Sequence, residues 1–444
     1  MSTSLSTALP GSKPSIEPAM SRYEQSTAIL DAKDNSGLTL AAGIACIVLV
    51  AIDLRPAIVS VGPLLGQIRG EFGISNAQAS LLTAIPNLLM GLLALPAPWL
   101  ARRLGRDRVI LAALAVLSIA TLLRAFVETT TQLMVTTAGV GAGIAVAGAL
   151  ISGFVKARFP QQVPLLMGLY AMSIGLGSTL AAAATAPLAA LGGWRLGTGV
   201  WALPGLTAIA AWWVVSRSEG IGLAPVSAVA RAHRHPLGRA SAWLVAVYFA
   251  TNNFLFFGFL SWIAPMFREL GATQAYAGML LASFTMAFML SNPLPALLSR
   301  REDRRRLIGL FAGIALVGLL VIAVAPTFMP LVAIPMAACG VGASFSLGMT
   351  LPLDNASSPD EANSWTSFVL FVGYLLGALG PLTLGFLRDR TGSFQAGLWT
   401  LVAAAALMAS LAPSLSPARR HRKLQRAEGS ATERSYDARA TRTG

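Results

Sequence analysis

Leu38–Ile68 reads LTLAAGIACIVLVAIDLRPAIVSVGPLLGQI, an apolar run long enough to span a bilayer, with Asp53 and Arg55 near its middle. A helix needs about 20 residues to cross about 30 Å of hydrocarbon. An Arg or Asp at that depth costs roughly 2.5–3.5 kcal/mol on the mildest scale, so it requires protein or water around it. The stretch therefore reads as a membrane helix whose centre borders a cavity.

Outward from it, the uncharged runs Ala77 to Leu100, Val109 to Leu123, Leu133 to Val155 and Leu307 to Ala325 repeat the same signature. The chain is 55% hydrophobic and 12% charged over 444 residues, with a mean hydropathy of +0.65. That composition excludes an ordinary water-soluble domain. Turn residues and charges divide it into twelve spans: 38–68, 77–100, 109–127, 131–155, 163–191, 195–216, 240–267, 274–299, 307–325, 328–353, 363–387 and 394–413. The expected fold is an all-α membrane protein of two six-helix bundles, at 38–216 and 240–413. They are joined by a linker at 217–239 and flanked by a disordered leader at 1–37 and a basic tail at 414–444. The leader has no apolar core of the kind a secretory signal needs.

A net charge of +14 could suggest nucleic acid, but the basic residues are dispersed in short clusters. Arg102, Arg103, Arg106 and Arg108 follow span 2, and Lys156 and Arg158 follow span 4. Arg231, Arg234 and Arg239 follow span 6, Arg300 to Arg306 follow span 8, and Arg419 to Arg426 lie in the tail. This is a positive-inside pattern with both termini cytoplasmic. The opposite loops carry only scattered charges, Arg69 with Glu71, Arg124 with Glu128, and Arg268 with Glu269. The loop after span 10 breaks the pattern with Asp354, Asp360 and Glu361. Cys46 and Cys339 lie in separate apolar runs, and His233, His235 and His421 lie outside the spans. Neither a disulfide framework nor a metal site is expected, and no cofactor.

The halves resemble each other at a lag near 200 residues. Gly139-Val140-Gly141-Ala142 returns as Gly340-Val341-Gly342-Ala343, and Gly192-Gly193-Trp194 as Gly392-Ser393-Phe394. Paired six-helix repeats that can rock about a central site are the physical requirement for alternating access.

Leu54-Arg55-Pro56-Ala57-Ile58-Val59-Ser60-Val61-Gly62-Pro63, Leu81-Leu82-Thr83-Ala84-Ile85-Pro86, and Lys156-Ala157-Arg158-Phe159-Pro160 with Gly168-Leu169-Tyr170 resemble the major facilitator superfamily. Within it they are similar to the cyanate permease and nitroimidazole transporter family. The resemblance implies a secondary active transporter of the bacterial inner membrane, not an enzyme. Its substrate would be a small anion such as cyanate, or a small drug such as 2-nitroimidazole that it exports. A non-transporting membrane sensor of the same fold is the alternative from another class. The expected partners are the solute, a coupled proton and the bilayer, with the protein a monomer.

Arg55 suits an anion because its planar guanidinium is always charged and presents five donors. The competing reading is a structural ion pair. Residues two apart on a helix point about 200° apart, so of Asp53 and Arg55 one should face the cavity and the other a neighbouring helix. Pro56 frees the Ile52 carbonyl for a partner such as Arg55. Asp53 is a candidate for proton coupling. The resemblance places the first helix of the second half against the cavity, which makes Asn252 and Asn253 candidate contacts, with interhelical packing as the other reading. Tyr170 and Tyr374 are weaker candidates, since Tyr also serves as an interface anchor. Arg102, Arg103, Gly105, Arg106 and Asp107 resemble the superfamily's loop between its second and third helices, which implies a conformational latch. Arg102 stands where that motif is usually acidic.

Overall fold

The computed structural model describes residues 41–159, 162–218, 238–298, 304–355 and 359–415. The leader, the tail and nearly all of the linker lie outside the described residues. Within them the chain is helical. The helices are α1 (Ala41–Phe72), α2 (Asn76–Ala94, followed by Ala97–Leu104), α3 (Arg106–Leu123), α4 (Thr130–Arg158), α5 (163–191) and α6 (194–218). The second half contributes α7 (Ala240–Glu269), α8 (Gln274–Leu298), α9 (Arg305–Val324), α10 (Pro330–Asn355), α11 (Pro359–Gly377, then Leu379–Thr391) and α12 (Gln395–Leu411). Helix Leu165–Arg217 would measure about 80 Å if straight. Gly192 and Gly193 leave helical geometry there, Gly193 at φ +76°, and divide it into two crossings.

Helix starts at the α1–α2 end are fixed locally. Ser75 and Gln78 form a capping box on α2, and Thr129 and Gln132 form another on α4. Each satisfies two of the amide groups that a helix N-terminus leaves free. Gly73, at φ +61°, ends α1.

Helix α1 is not continuous. A turn at Leu54 and Arg55 and another at Ser60 isolate Pro56–Val59 as a single helical turn. Pro56 removes one intrahelical bond, as the sequence requires, but the freed Ile52 carbonyl is not taken by Arg55. It points at α5, where a Cβ at position 177 would lie 2.2 Å from the Ile52 oxygen. Only glycine fits there. Position 377, two hundred residues later, repeats the arrangement, since a Cβ on Gly377 would lie 2.6 Å from the Asn253 Cβ of α7.

The quoted repeat behaves likewise. Gly139 meets Ala120 of α3 and Gly141 meets Pro86 of α2, while Gly340 meets Ala315 of α9 and Gly342 meets Ser291 and Phe288 of α8. Equivalent glycines thus let the fourth helix of each half approach the second and third closely, the usual basis of helix association in lipid. Gly177→Ala is expected to cost about 1–3 kcal/mol by overpacking and to lower the unfolding temperature in detergent. An unchanged temperature would mean that α1 and α5 do not meet at this point.

Hydrogen bonds across the seam between the halves gather toward the α1–α2 end. The Asp389 carboxylate accepts from the Asn76 and Ala77 backbone amides (2.9 and 2.7 Å) and from the Asn76 side chain (2.6 Å), so a residue of α11 caps α2. Ser80 donates to the Pro381 carbonyl at 2.7 Å, Thr83 and Ser261 bond at 2.8 Å, and Gln67 donates to Gln274 at 3.2 Å. Near the middle, Thr179 and Thr285 bond at 3.1 Å.

Ion pairs at the same end stay within a half. Glu71 pairs with Arg195 at 2.6 Å, and Glu269 with Arg388 at 3.0 Å. At the other end, Asp354 lies 3.6 Å from Arg304, so part of the acidic exception in the loop after span 10 is matched by a neighbouring basic cluster.

Candidate functional site

The break in α1 sets the direction of its two charges. Asp53, 2% exposed, turns toward Ser118 of α3 and Gly205 of α6, and its Oδ2 has no hydrogen-bond partner. Arg55 turns the other way and is half-buried. Its guanidinium lies 5.6 Å from the centre of the Phe257 ring of α7, within cation–π range. Tyr374 of α11 and Tyr170 of α5 both lie close enough to feel the charge of Arg55. Nη1 of Arg55 is buried without a partner. The structure therefore sets Arg55 over Phe257 of the opposite half, with Tyr170 and Tyr374 within range of its charge.

Behind Arg55 the second half presents an aromatic wall. Tyr374 packs near Phe257 and Phe249 (6.5 and 6.4 Å between ring centres), and Phe249 stacks on Phe345 at 5.3 Å. A cation against aromatic faces, with no carboxylate beside it among the described residues, leaves a standing positive potential. It can take a small anion or an oxygen pair of high electron density.

The asparagine pair divides. Asn252 is fully buried and donates to the Val341 carbonyl of α10 at 2.8 Å, so it joins two helices and does not meet Arg55. Asn253 donates to the Phe249 carbonyl of its own helix at 2.9 Å and faces Gly377 at the seam. The basic segment after α2 makes its described contacts inside the first half: Arg103 over Trp99, Arg106 over Phe154, and Arg106 to Asp107 at 3.7 Å. Arg102 is exposed, and Gly105 holds φ +90° at the start of α3, a backbone suited to glycine.

Two residues escaped the sequence reading. Arg124, read there as a loop charge, is 1% exposed and donates to the Ala57 carbonyl at 2.7 Å and to Thr137 at 3.3 Å. It thereby braces the isolated turn that follows Arg55. Asn87 of α2 is fully buried, and neither atom of its amide has a partner. It follows directly on the quoted stretch Leu81–Pro86, and a lone amide in an apolar span was the signal available.

Comparison with known proteins gives a consistent result. The family model described as Major Facilitator Superfamily matches residues 44–381. The cyanate transport protein CynX of Escherichia coli (strain K12) is 31% identical over 354 residues, 78% of this chain and 90% of that protein. The 2-nitroimidazole transporter of the same organism is 31% identical over 372 residues, covering 82% and 93%. Among solved structures, a bacterial homolog of the human lysosomal transporter Spinster, inward-facing and unoccupied, superimposes with a TM-score of 0.69 at 20% identity, covering 85% of this chain and 95% of that one.

Proposed function

The chain belongs to the Major Facilitator Superfamily, and on that premise we propose that it moves a small anion, cyanate foremost, across the bacterial cytoplasmic membrane by alternating access. The observation that carries this reading is Arg55 itself: a half-buried guanidinium at mid-span with a free buried Nη1, facing the opposite half. A permanent charge so placed needs a counterion, and a solute that arrives between the halves is the one the geometry admits. The 31% identity to a cyanate transport protein supports the same choice.

A second reading has its own observation. Phe257 carries the Arg55 guanidinium over its ring and half-buried Tyr374 packs near it, so an aromatic wall of the second half flanks the charge. A nitro-substituted azole would place its oxygens on Arg55 and its ring on that wall. The 31% identity to a 2-nitroimidazole transporter supports this alternative.

With both termini cytoplasmic, the α1–α2 end, where hydrogen bonds join the halves, is periplasmic. The 102–107 segment then engages the second half only in the opposite state. Asp53, buried behind the site with a free oxygen, serves as the coupling group. The 38–216 and 240–413 halves of a single monomer carry the cycle.

Purified protein in proteoliposomes is expected to take up labelled cyanate saturably, with competition by nitrate and short carboxylates. Asp53→Asn should flatten the response to an imposed pH gradient. Saturable 2-nitroimidazole flux with no saturable anion flux would replace the first reading by the second.

A further inference from the structure

A single helical turn does not hold itself in place, because nucleating a helix fixes several residues for few hydrogen bonds. The turn Pro56–Val59 of α1 is of this kind, with Arg55 as its N-cap and a second break at Ser60. The Arg55 carbonyl accepts from the Ile58 and Val59 amides at 3.0 and 3.1 Å, and the Pro56 carbonyl accepts from the Ser60 amide at 2.9 Å. Whatever fixes this turn from outside also fixes the backbone from which Arg55 projects.

Arg124 reaches the turn from the end of α3. Its Nη1 donates to the Ala57 carbonyl at 2.7 Å, in the middle of the turn, and its Nη2 donates to Thr137 of α4 at 3.3 Å. Thr137 is itself tied to the Leu133 carbonyl at 2.7 Å, so the guanidinium spans from α1 to a fixed point on α4. The residue is 1% exposed, its Nε has no partner, and no carboxylate pairs with it among the described residues. Burying such a group costs stability that an apolar residue would not forfeit, so its presence calls for a task beyond packing. The other half supplies the contrast. At the lag near 200 residues, α7 answers to α1 and α9 to α3. Helix α7 runs unbroken from Ala240 to Glu269, and α9 ends on Val324, two hundred residues after Arg124. The half with a continuous first helix has an apolar residue at this place, and the half with the broken helix has a buried arginine.

We propose that Arg124 is a positioning residue of the solute site: through the Ala57 carbonyl it holds the short turn of α1 in the orientation that presents Arg55 to the second half. This rests on the Arg55 site described above and adds what aims it. Arg124 touches no solute. It meets the turn from the side of α3 and α4, whereas Arg55 faces Phe257 of α7. Lysine at position 124 can keep one donor on the Ala57 carbonyl but lacks the fork that also takes Thr137. Glutamine removes the charge and shortens the reach.

The test measures uptake of cyanate and of 2-nitroimidazole in proteoliposomes by the native protein, Arg124→Gln, Arg124→Lys, Arg55→Lys and the double variant Arg55→Lys with Arg124→Gln. Unfolding temperatures are taken in detergent alongside. Arg124→Gln is expected to raise the KM of the transported solute by about tenfold while kcat stays within about threefold. Arg124→Lys should recover most of that loss. Placed on Arg55→Lys, Arg124→Gln should add less than about twofold, since a residue that acts through Arg55 has nothing left to aim. Equal fold-changes in the two backgrounds overturn the proposal. So does a lowered unfolding temperature with KM unchanged, which assigns Arg124 to stability alone. If Arg124→Gln does not fold, Thr137→Ala takes its place, because it frees Nη2 and leaves the buried charge where it is. It should raise KM by about threefold in the native background and not in Arg55→Lys, and an unaltered KM overturns the proposal as well. Absence of saturable uptake of either solute, or indifference of KM to Arg55→Lys, overturns the solute site itself and with it any residue said to aim Arg55.

Discussion

Arg55→Ala is expected to abolish saturable anion uptake, and Arg55→Lys to raise KM by about 10- to 100-fold. A hydrogen bond to a charged group contributes about 1.5–3 kcal/mol, and each 1.4 kcal/mol is about tenfold in affinity. Lysine keeps the charge but loses the planar fork, so it cannot hold an oxygen pair through two parallel hydrogen bonds. The Phe257 ring, 5.6 Å below the guanidinium, also loses its flat partner. The variants should remain folded, because Nη1 has no structural partner to forfeit. Uptake kinetics decide the matter, and unchanged KM values in both variants would place the anion elsewhere.

The second large effect is expected at Asp389. Its carboxylate takes three hydrogen bonds from the first residues of α2 and is supplied by the other half of the protein. A carboxylate at a helix N-terminus also meets the positive end of the helix dipole, and with its hydrogen bonds contributes about 2–3 kcal/mol. Asp389→Ala removes all of it from the sealed state and nothing from the open one. The ratio of the two states should then move by about 30- to 150-fold. Thr83→Cys, in a background lacking Cys46 and Cys339, reports the change, since Thr83 is buried at the seam against Ser261. Its reaction with a charged maleimide should accelerate strongly in Asp389→Ala and by less in Asp389→Asn, which keeps an acceptor. Equal labelling rates with and without Asp389 would show that the cap does not hold the seam.

Much of this was legible in the sequence for a simple reason: lipid penalises charge so heavily that Asp53 and Arg55 stand out without any structure. Helical geometry also implied opposite directions for them, and the structure turns Asp53 to α3 and α6 and Arg55 to α7, across a break in α1 that the Pro56 signal announced. The Asn252–Asn253 pair shows the limit. Neighbours on a helix point about 100° apart, and composition does not say which side holds α10 and which holds the seam. Arg124 was missed because it stands one residue beyond α3, where a charge ordinarily meets water, and only the fold shows the Ala57 carbonyl waiting for it. The seam itself was illegible for a different reason. Much of it consists of glycines set against backbone oxygens and of hydroxyl groups bonded to carbonyls, which leave no pattern in hydropathy or charge.

The placement of Glu71 with Arg195 and of Glu269 with Arg388 has an electrical consequence. Each rigid body keeps its own countercharge, so parting them separates no cation from its anion. Asp389, whose carboxylate accepts from the other half, is left bare. Dissolved salt on that side of the membrane should therefore modulate turnover through this carboxylate, and a version carrying a neutral residue there should respond less to ionic strength.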